Sequence, residues 1–222
     1  MSDVTIAAEA EFDRQVARLV ELGYPDLAGL SAERFGEVVA PLRKAASSRA
    51  LGDHDPANGQ VGFVLVVTRR LVSIEDAMQR TTLVGRSKPG FVDRSFEEGA
   101  LARFVAPDTV RLPDADAYLL FDVQRGEEFC GEVPRDAMDV IAGRARTVLT
   151  IEEGIALFTL YPEVLVKNKC YMLGGSRCGD RRVPALWISQ HAPKLGWCWE
   201  RNPHTWLGMA SAGGRVGPRN RV

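Results

Sequence analysis

Val61-Gly62-Phe63-Val64-Leu65-Val66-Val67 is an unbroken apolar run, rich in β-branched side chains, that follows a turn-forming Asn58-Gly59. A run of this length and composition reads as a buried β-strand. Ala117-Tyr118-Leu119-Leu120-Phe121-Asp122-Val123 is a second strand of the same kind. Upstream, Phe12, Val16, Leu19 and Val20 recur at helical spacing over Ala7 to Leu22, and Gly23-Tyr24-Pro25-Asp26 ends that helix. Ser31 caps a second helix with Phe35, Val38, Val39 and Leu42 inward.

Between and beyond the two strands, local signals place shorter helices. Ser73 with Asp76 opens one, and Pro134 opens another with Ala137, Val140 and Ile141 as its apolar face. Thr150-Ile-Glu-Glu153 is a capping-box pattern leading into Ile155, Ala156 and Phe158, and Pro162 stops that helix. After Lys167 the character changes. Cys170 to Leu173, Val183 to Ile188 and Gly196 to Trp199 read as three short strands between Gly- or Pro-containing turns. The expected fold is therefore α+β: N-terminal helices, a mixed or antiparallel sheet, and a compact β-rich C-terminal section. The expected divisions are a helical segment over 1–46, a loop over 47–60, a main α+β domain over 61–214 and a tail over 215–222, folding as one unit. The Gly/Arg-rich stretch from Ser211 is expected to fray.

Composition excludes several function classes. The 222 residues carry Lys+Arg 28 against Asp+Glu 29, a formal net charge of −1. Such a balance exerts no overall pull on nucleic acid or anionic lipid. No apolar run approaches the roughly 20 residues that cross a bilayer, and the N-terminus does not read as a signal peptide. Four scattered cysteines do not make a disulfide scaffold, so a cytoplasmic protein with reduced thiols is expected. Phosphate-binding loops, dinucleotide turns, zincin helices and serine-nucleophile elbows are all missing.

What remains is concentrated near the C-terminus. Gly174-Gly175-Ser176-Arg177-Cys178-Gly179-Asp180-Arg181-Arg182 offers inward-turning backbone donors with three guanidinium groups, a combination that suits phosphate or carboxylate. The simpler reading of the same residues is a hairpin turn whose Asp180 pairs with a neighbouring Arg. All four Trp lie close by, at Trp187, Trp197, Trp199 and Trp206. They could equally fill the core or stack on a flat ligand. Cys170, Cys178, Cys198 and His204 supply donor atoms for zinc, but at a spacing that preforms no site; no cofactor is predicted, and zinc stands as the alternative. Cys178 or Cys198 with His191 or His204 is the covalent or acid–base alternative. The carboxylates between Asp122 and Glu128 read as internal partners for the Arg cluster.

Three long motifs also carry a resemblance. They are Leu149-Thr-Ile-Glu-Glu-Gly-Ile-Ala-Leu157, Gly175-Ser-Arg-Cys-Gly-Asp-Arg-Arg-Val-Pro-Ala-Leu-Trp187, and Ala192-Pro-Lys-Leu-Gly-Trp-Cys-Trp199 with Asn202-Pro-His-Thr-Trp206. They resemble an uncharacterised actinobacterial protein family, a domain of unknown function, from about Leu22 to Gly214. The resemblance implies a cytosolic bacterial protein and assigns no catalytic residue. The leading expectation is a small anionic or aromatic ligand bound by Arg177, Asp180, Arg181, Arg182, Lys194, Trp197, Trp199, Asn202 and His204. The alternatives are an enzyme using His191 or His204 as base in the same pocket, with Asp180 orienting it, and a protein-interaction module with an exposed Trp patch.

Overall fold

A computed structural model describes residues 3–48 and 53–218, with side chains from Ile6 onward. In the described residues, two sheets share a buried helix. The first is antiparallel, in the order β1 (Gln60–Val67), β3 (Ala117–Gln124), β9 (Ser211–Val216), β4 (Thr147–Val148). The second runs β2 (Phe91–Val92), β7 (Ala192–Trp199), β6 (Arg182–Ser189), β5 (Cys170–Met172), β8 (Leu207–Met209). It is mixed, because β2–β7 and β5–β8 are parallel pairs. Among the described residues, six α-helices complete an α+β fold: α1 (Asp3–Glu21), α2 (Tyr24–Leu27), α3 (Ala32–Ser47), α4 (Ile74–Gln79), α5 (Pro134–Gly143) and α6 (Ile151–Leu160). Among the described residues, no helix is long and apolar enough to cross a membrane.

The helix α6 explains why the chain folds as two sheets around one centre. A helix that is apolar all round must be buried, since it has no face to give to water. Nine of its ten residues are buried. It packs on β1 on one side and on β6 on the other, and Tyr171 of β5 donates its hydroxyl to Gly154 O at 2.9 Å. Its first turn is closed by the full capping box expected from the sequence: Thr150 Oγ1 accepts from Glu153 N, and Glu153 returns the bond to Thr150 N.

The edge of the first sheet is closed by a side chain. The strand β1 is a terminal strand whose outward backbone groups would be left unsatisfied in a buried position. Gln15 of α1, fully buried, fills the gap: Nε2 donates to Phe63 O at 3.1 Å and Oε1 accepts from Leu65 N at 2.7 Å. The inward face of α1 is thus Phe12, Gln15 and Leu19, with Val16 and Val20 only half-buried.

Other departures have equally local causes. The residues after α1 form the one-turn α2 rather than a plain stop, and Val38 and Val140 are not core. Part of the polar stretch 47–60 lies outside the described residues. Downstream of it, Asp55 caps a short 3₁₀ turn over Pro56–Asn58. The expectation of a fraying tail from Ser211 is corrected. Residues Ser211–Val216 are β9, an internal strand hydrogen-bonded to β3 and β4, and Arg215 and Val216 belong to it rather than to a tail. Residues 219–222 lie outside the described residues.

The correction turns on one ion pair. Arg215 is 6% exposed and binds the fully buried carboxylate of Glu153, with Nη2 to Oε2 at 2.8 Å. Arg215 also donates to Thr147 Oγ1 and Val148 O, while Tyr118 donates its hydroxyl to Glu153 Oε1 at 2.8 Å. Burial, with the Glu153 charge beside it, pushes the Tyr118 pKa well up, so the phenol stays protonated and donates. A charge this deep persists only when paired and hydrogen-bonded, and Glu153 is both.

Candidate functional site

The C-terminal residues singled out in the sequence sit on the β6–β7 hairpin, and the register divides them between two faces. Trp187 pairs with Lys194, whereas Arg182 pairs with Trp199 and Pro184 with Trp197. Alternation along a strand puts Lys194 and Trp197 on opposite sides of the sheet. Lys194 forms an ion pair with Asp93 and lies over the rings of Phe91 and Trp187. On the other face the Arg182 guanidinium lies over Phe104 and Trp197, and Trp197 meets Trp199 edge-on at 4.8 Å. Trp199 is 46% exposed.

The glycine-rich segment is a hairpin approach closed by its own charges. Asp180 accepts from the backbone and side chain of Arg182, and Arg177 pairs with Glu200 at 2.6 Å and donates to Asp180 O. Arg181 and Asn202 are exposed. His191 lies at the exposed turn between β6 and β7, where both Gln190 and His191 take positive φ. His204 lies against the Trp206 ring at 5.5 Å. Neither His191 nor His204 has a hydrogen bond or ion pair to a carboxylate or thiol among the described residues. Cys170 and Cys198 are buried and bond to Val166 O and the Met172 sulfur, while Cys178 contacts Arg182. Among the described residues, no group of three or more His, Cys, Asp or Glu is arranged to hold a metal ion. The carboxylates between Asp122 and Glu128 have partners of their own rather than the 177–182 arginines: Asp122 pairs with Arg146, Glu127 with Arg125 and Lys169, and Glu128 with Arg144.

A cleft of about 320 Å³ opens beside this region, at the N-terminus of α6. Thr68, Arg69 and Arg70 follow β1 and form one side. Residues from Val105 to Ala115 form the opposite, largely apolar wall, on which Val105 is 56% and Leu112 41% exposed. The floor is Tyr118, Thr150, Glu152 and Ser176, so the buried Glu153–Arg215 pair lies just beneath it. The wall is tied to the glycine-rich segment by reciprocal backbone bonds, Val105 N to Arg177 O at 3.0 Å and Arg177 N to Val105 O at 2.8 Å. Those bonds place Ser176 at the floor, where its Oγ accepts from Ile151 N at 2.9 Å.

Charge around the cleft is paired but unequally held. Arg69 binds Glu152 and also donates to Leu101 O at 3.2 Å and Phe104 O at 3.0 Å, so its guanidinium is fixed. Arg70 pairs with Asp114, whose side chain is 89% exposed, and also feels the nearby Asp116 charge. An exposed pair of this kind is screened by solvent and contributes little. Arg70 is therefore free to change partner.

The sequence reading reached the segment that holds Ser176 and the capping box that holds Thr150, but not the cleft they share. Two signals were available: an Arg pair just after a buried strand, and a capped helix, apolar beyond its acidic first turn, whose N-terminus must lie near another element. No curated protein and no solved structure matches the chain. One family model does match, over residues 18–218, and the chain belongs to that family, described as a family of unknown function (DUF5701).

Proposed function

We propose that the protein binds a small organic ligand in the cleft at the N-terminus of α6, and that it does so as a cytoplasmic protein of actinobacterial origin. The observation that carries this is the cleft itself. Small-molecule sites are concave, start near 300 Å³, and combine apolar walls with a few placed polar groups. This one has an apolar wall, the buried hydroxyls of Tyr118, Thr150 and Ser176, a fixed Arg69 and a releasable Arg70. The Arg/Trp surface is less suited to an anion, because Arg177, Arg182 and Lys194 already hold carboxylates. An enzyme using His191 or His204 has less support still, since neither has an orienting carboxylate or thiol among the described residues.

A second reading keeps Trp199 as part of a protein-interaction surface, on the ground that a large aromatic beside Trp197 and Arg182 is left half in water. The two readings separate in one thermal-shift experiment with organic acids, nucleotides and their neutral analogues. Cleft binding predicts a ligand that raises Tm, by about 2.7 kcal/mol of stability at roughly a hundred times its Kd. The same ligand leaves an Ala106→Trp variant, whose cleft is filled, unshifted. A shift that persists in Ala106→Trp, or disappears only in Trp199→Ala, overturns the cleft reading.

A further inference from the structure

The floor of the cleft holds donors with nothing to donate to. Thr150 Oγ1 accepts from Glu153 N at 3.3 Å, and Ser176 Oγ accepts from Ile151 N at 2.9 Å. Both side chains are 1% exposed and both line the cleft. Each hydroxyl also carries a proton, and neither proton meets an acceptor among the described residues. The amide of the partly exposed Glu152, second in α6, has no protein partner among the described residues, whereas its neighbours Ile151 N and Glu153 N are satisfied by Ser176 and Thr150. A buried donor left without a partner costs about 1–3 kcal/mol. Two such buried hydroxyls at one helix N-terminus, with the amide of the partly exposed Glu152 beside them and the helix dipole favouring negative charge, describe a receptor for an anionic oxygen pair.

The surrounding charges limit what that anion can be. Arg69 is saturated, whereas Arg70 is held by an exposed ion pair with Asp114, so one negative charge can be matched. The carboxylate of Glu152 shares the floor, which disfavours a dianion such as phosphate. Val105, Leu112, Pro113 and Ala115 give the rest of the cleft an apolar lining.

We propose that the cleft takes a monocarboxylate with a short apolar tail. Its two oxygens accept from the Thr150 and Ser176 hydroxyls and the Glu152 amide, Arg70 leaves Asp114 to pair with it, and the tail lies along Val105, Leu112 and Pro113. The assignment rests on the cleft-binding reading and narrows it to one chemical class. Isothermal titration of the full chain with hexanoate, hexanamide and inorganic phosphate tests it. Hexanoate binds at least about tenfold more tightly than hexanamide, the difference expected of charge-assisted hydrogen bonds, and phosphate does not displace it. Ser176→Ala and Arg70→Gln each weaken hexanoate by about tenfold and leave hexanamide nearly unchanged. Because Ser176 also caps α6, the exposed Arg70→Gln carries the test if Ser176→Ala fails to fold. Equal binding of hexanoate and hexanamide in wild type and both variants overturns the carboxylate assignment while leaving the cleft reading intact. Phosphate displacing hexanoate overturns the choice of a monoanion. Binding of neither hexanoate nor hexanamide overturns both readings.

Discussion

Glu153 connects the fold to the cleft at the scale of single residues. Its carboxylate takes bonds from Thr150 N, the Tyr118 hydroxyl and the Arg215 guanidinium, and it has no contact with water. Replacing it with Gln keeps the volume but leaves Arg215 as a buried charge without a counterion. Glu153→Gln is therefore expected to lose about 3–5 kcal/mol in urea denaturation; a loss below about 1 kcal/mol, the range of an exposed pair, would show that the network is not buried in solution. Asp93 gives a pH-dependent counterpart. Burial pushes its pKa up, but hydrogen bonds from Lys194 and Ser95 outweigh burial and hold it at about 2, below its ordinary 3.8. A depressed carboxylate pKa contributes stability that is present above about 3.8 and is lost as pH falls through about 2. In Lys194→Met the main opposing cation is gone while burial remains, so the Asp93 midpoint in a carboxyl-resolved NMR titration should rise towards or above its ordinary value. An unchanged midpoint would remove Lys194 as the cause.

At the scale of elements, α6 sets two effects against each other at one glycine. Ala in place of a mid-helix Gly is ordinarily worth about 1 kcal/mol. A Cβ on Gly154, however, would meet the Leu173 side chain at 2.2 Å, and Leu173 is fully buried with nowhere to go. Overpacking costs about 1–3 kcal/mol, so Gly154→Ala should destabilise, and a second change, Leu173→Ala, should recover part of the loss in a double-mutant cycle. Stabilisation by the single change would mean that the helix is not clasped between the sheets. The same element shows what a sequence carries. The helix α6, its capping box, β1, β3 and the core of the β6–β7 hairpin are written in local period and local caps, so they are readable without coordinates. The strand β9 is not, because Ser211-Ala-Gly-Gly-Arg-Val has the composition of a loop. It becomes a strand through partners far away: Arg215 meets Glu153 across 62 positions, and Gly213 leaves room for Asp122, whose Oδ2 lies 2.9 Å from where a Cβ would sit. The cleft was hidden for the same reason, since Arg69 and Glu152 are 83 positions apart.

At the scale of the whole molecule, one helix buried between two sheets predicts one cooperative unit. The Trp residues offer a direct reading, because Trp187, Trp197 and Trp199 all sit on the second sheet, whereas α1 and α3 pack with the first. Tryptophan fluorescence and far-ultraviolet circular dichroism should give coincident urea transitions; separated transitions would divide the chain into independently folding parts. The measurement that bears most directly on function is a methyl-resolved NMR titration with hexanoate and, separately, hexanamide. If the cleft at the N-terminus of α6 is the binding site, the methyl signals of Val105, Ala106, Leu112 and Ala115 shift together and saturate, while those of the distant Val140 and Val166 stay in place. Shifts confined to the tryptophan indole signals of Trp197 and Trp199, or no saturable shift at the four cleft residues with either compound, would contradict it.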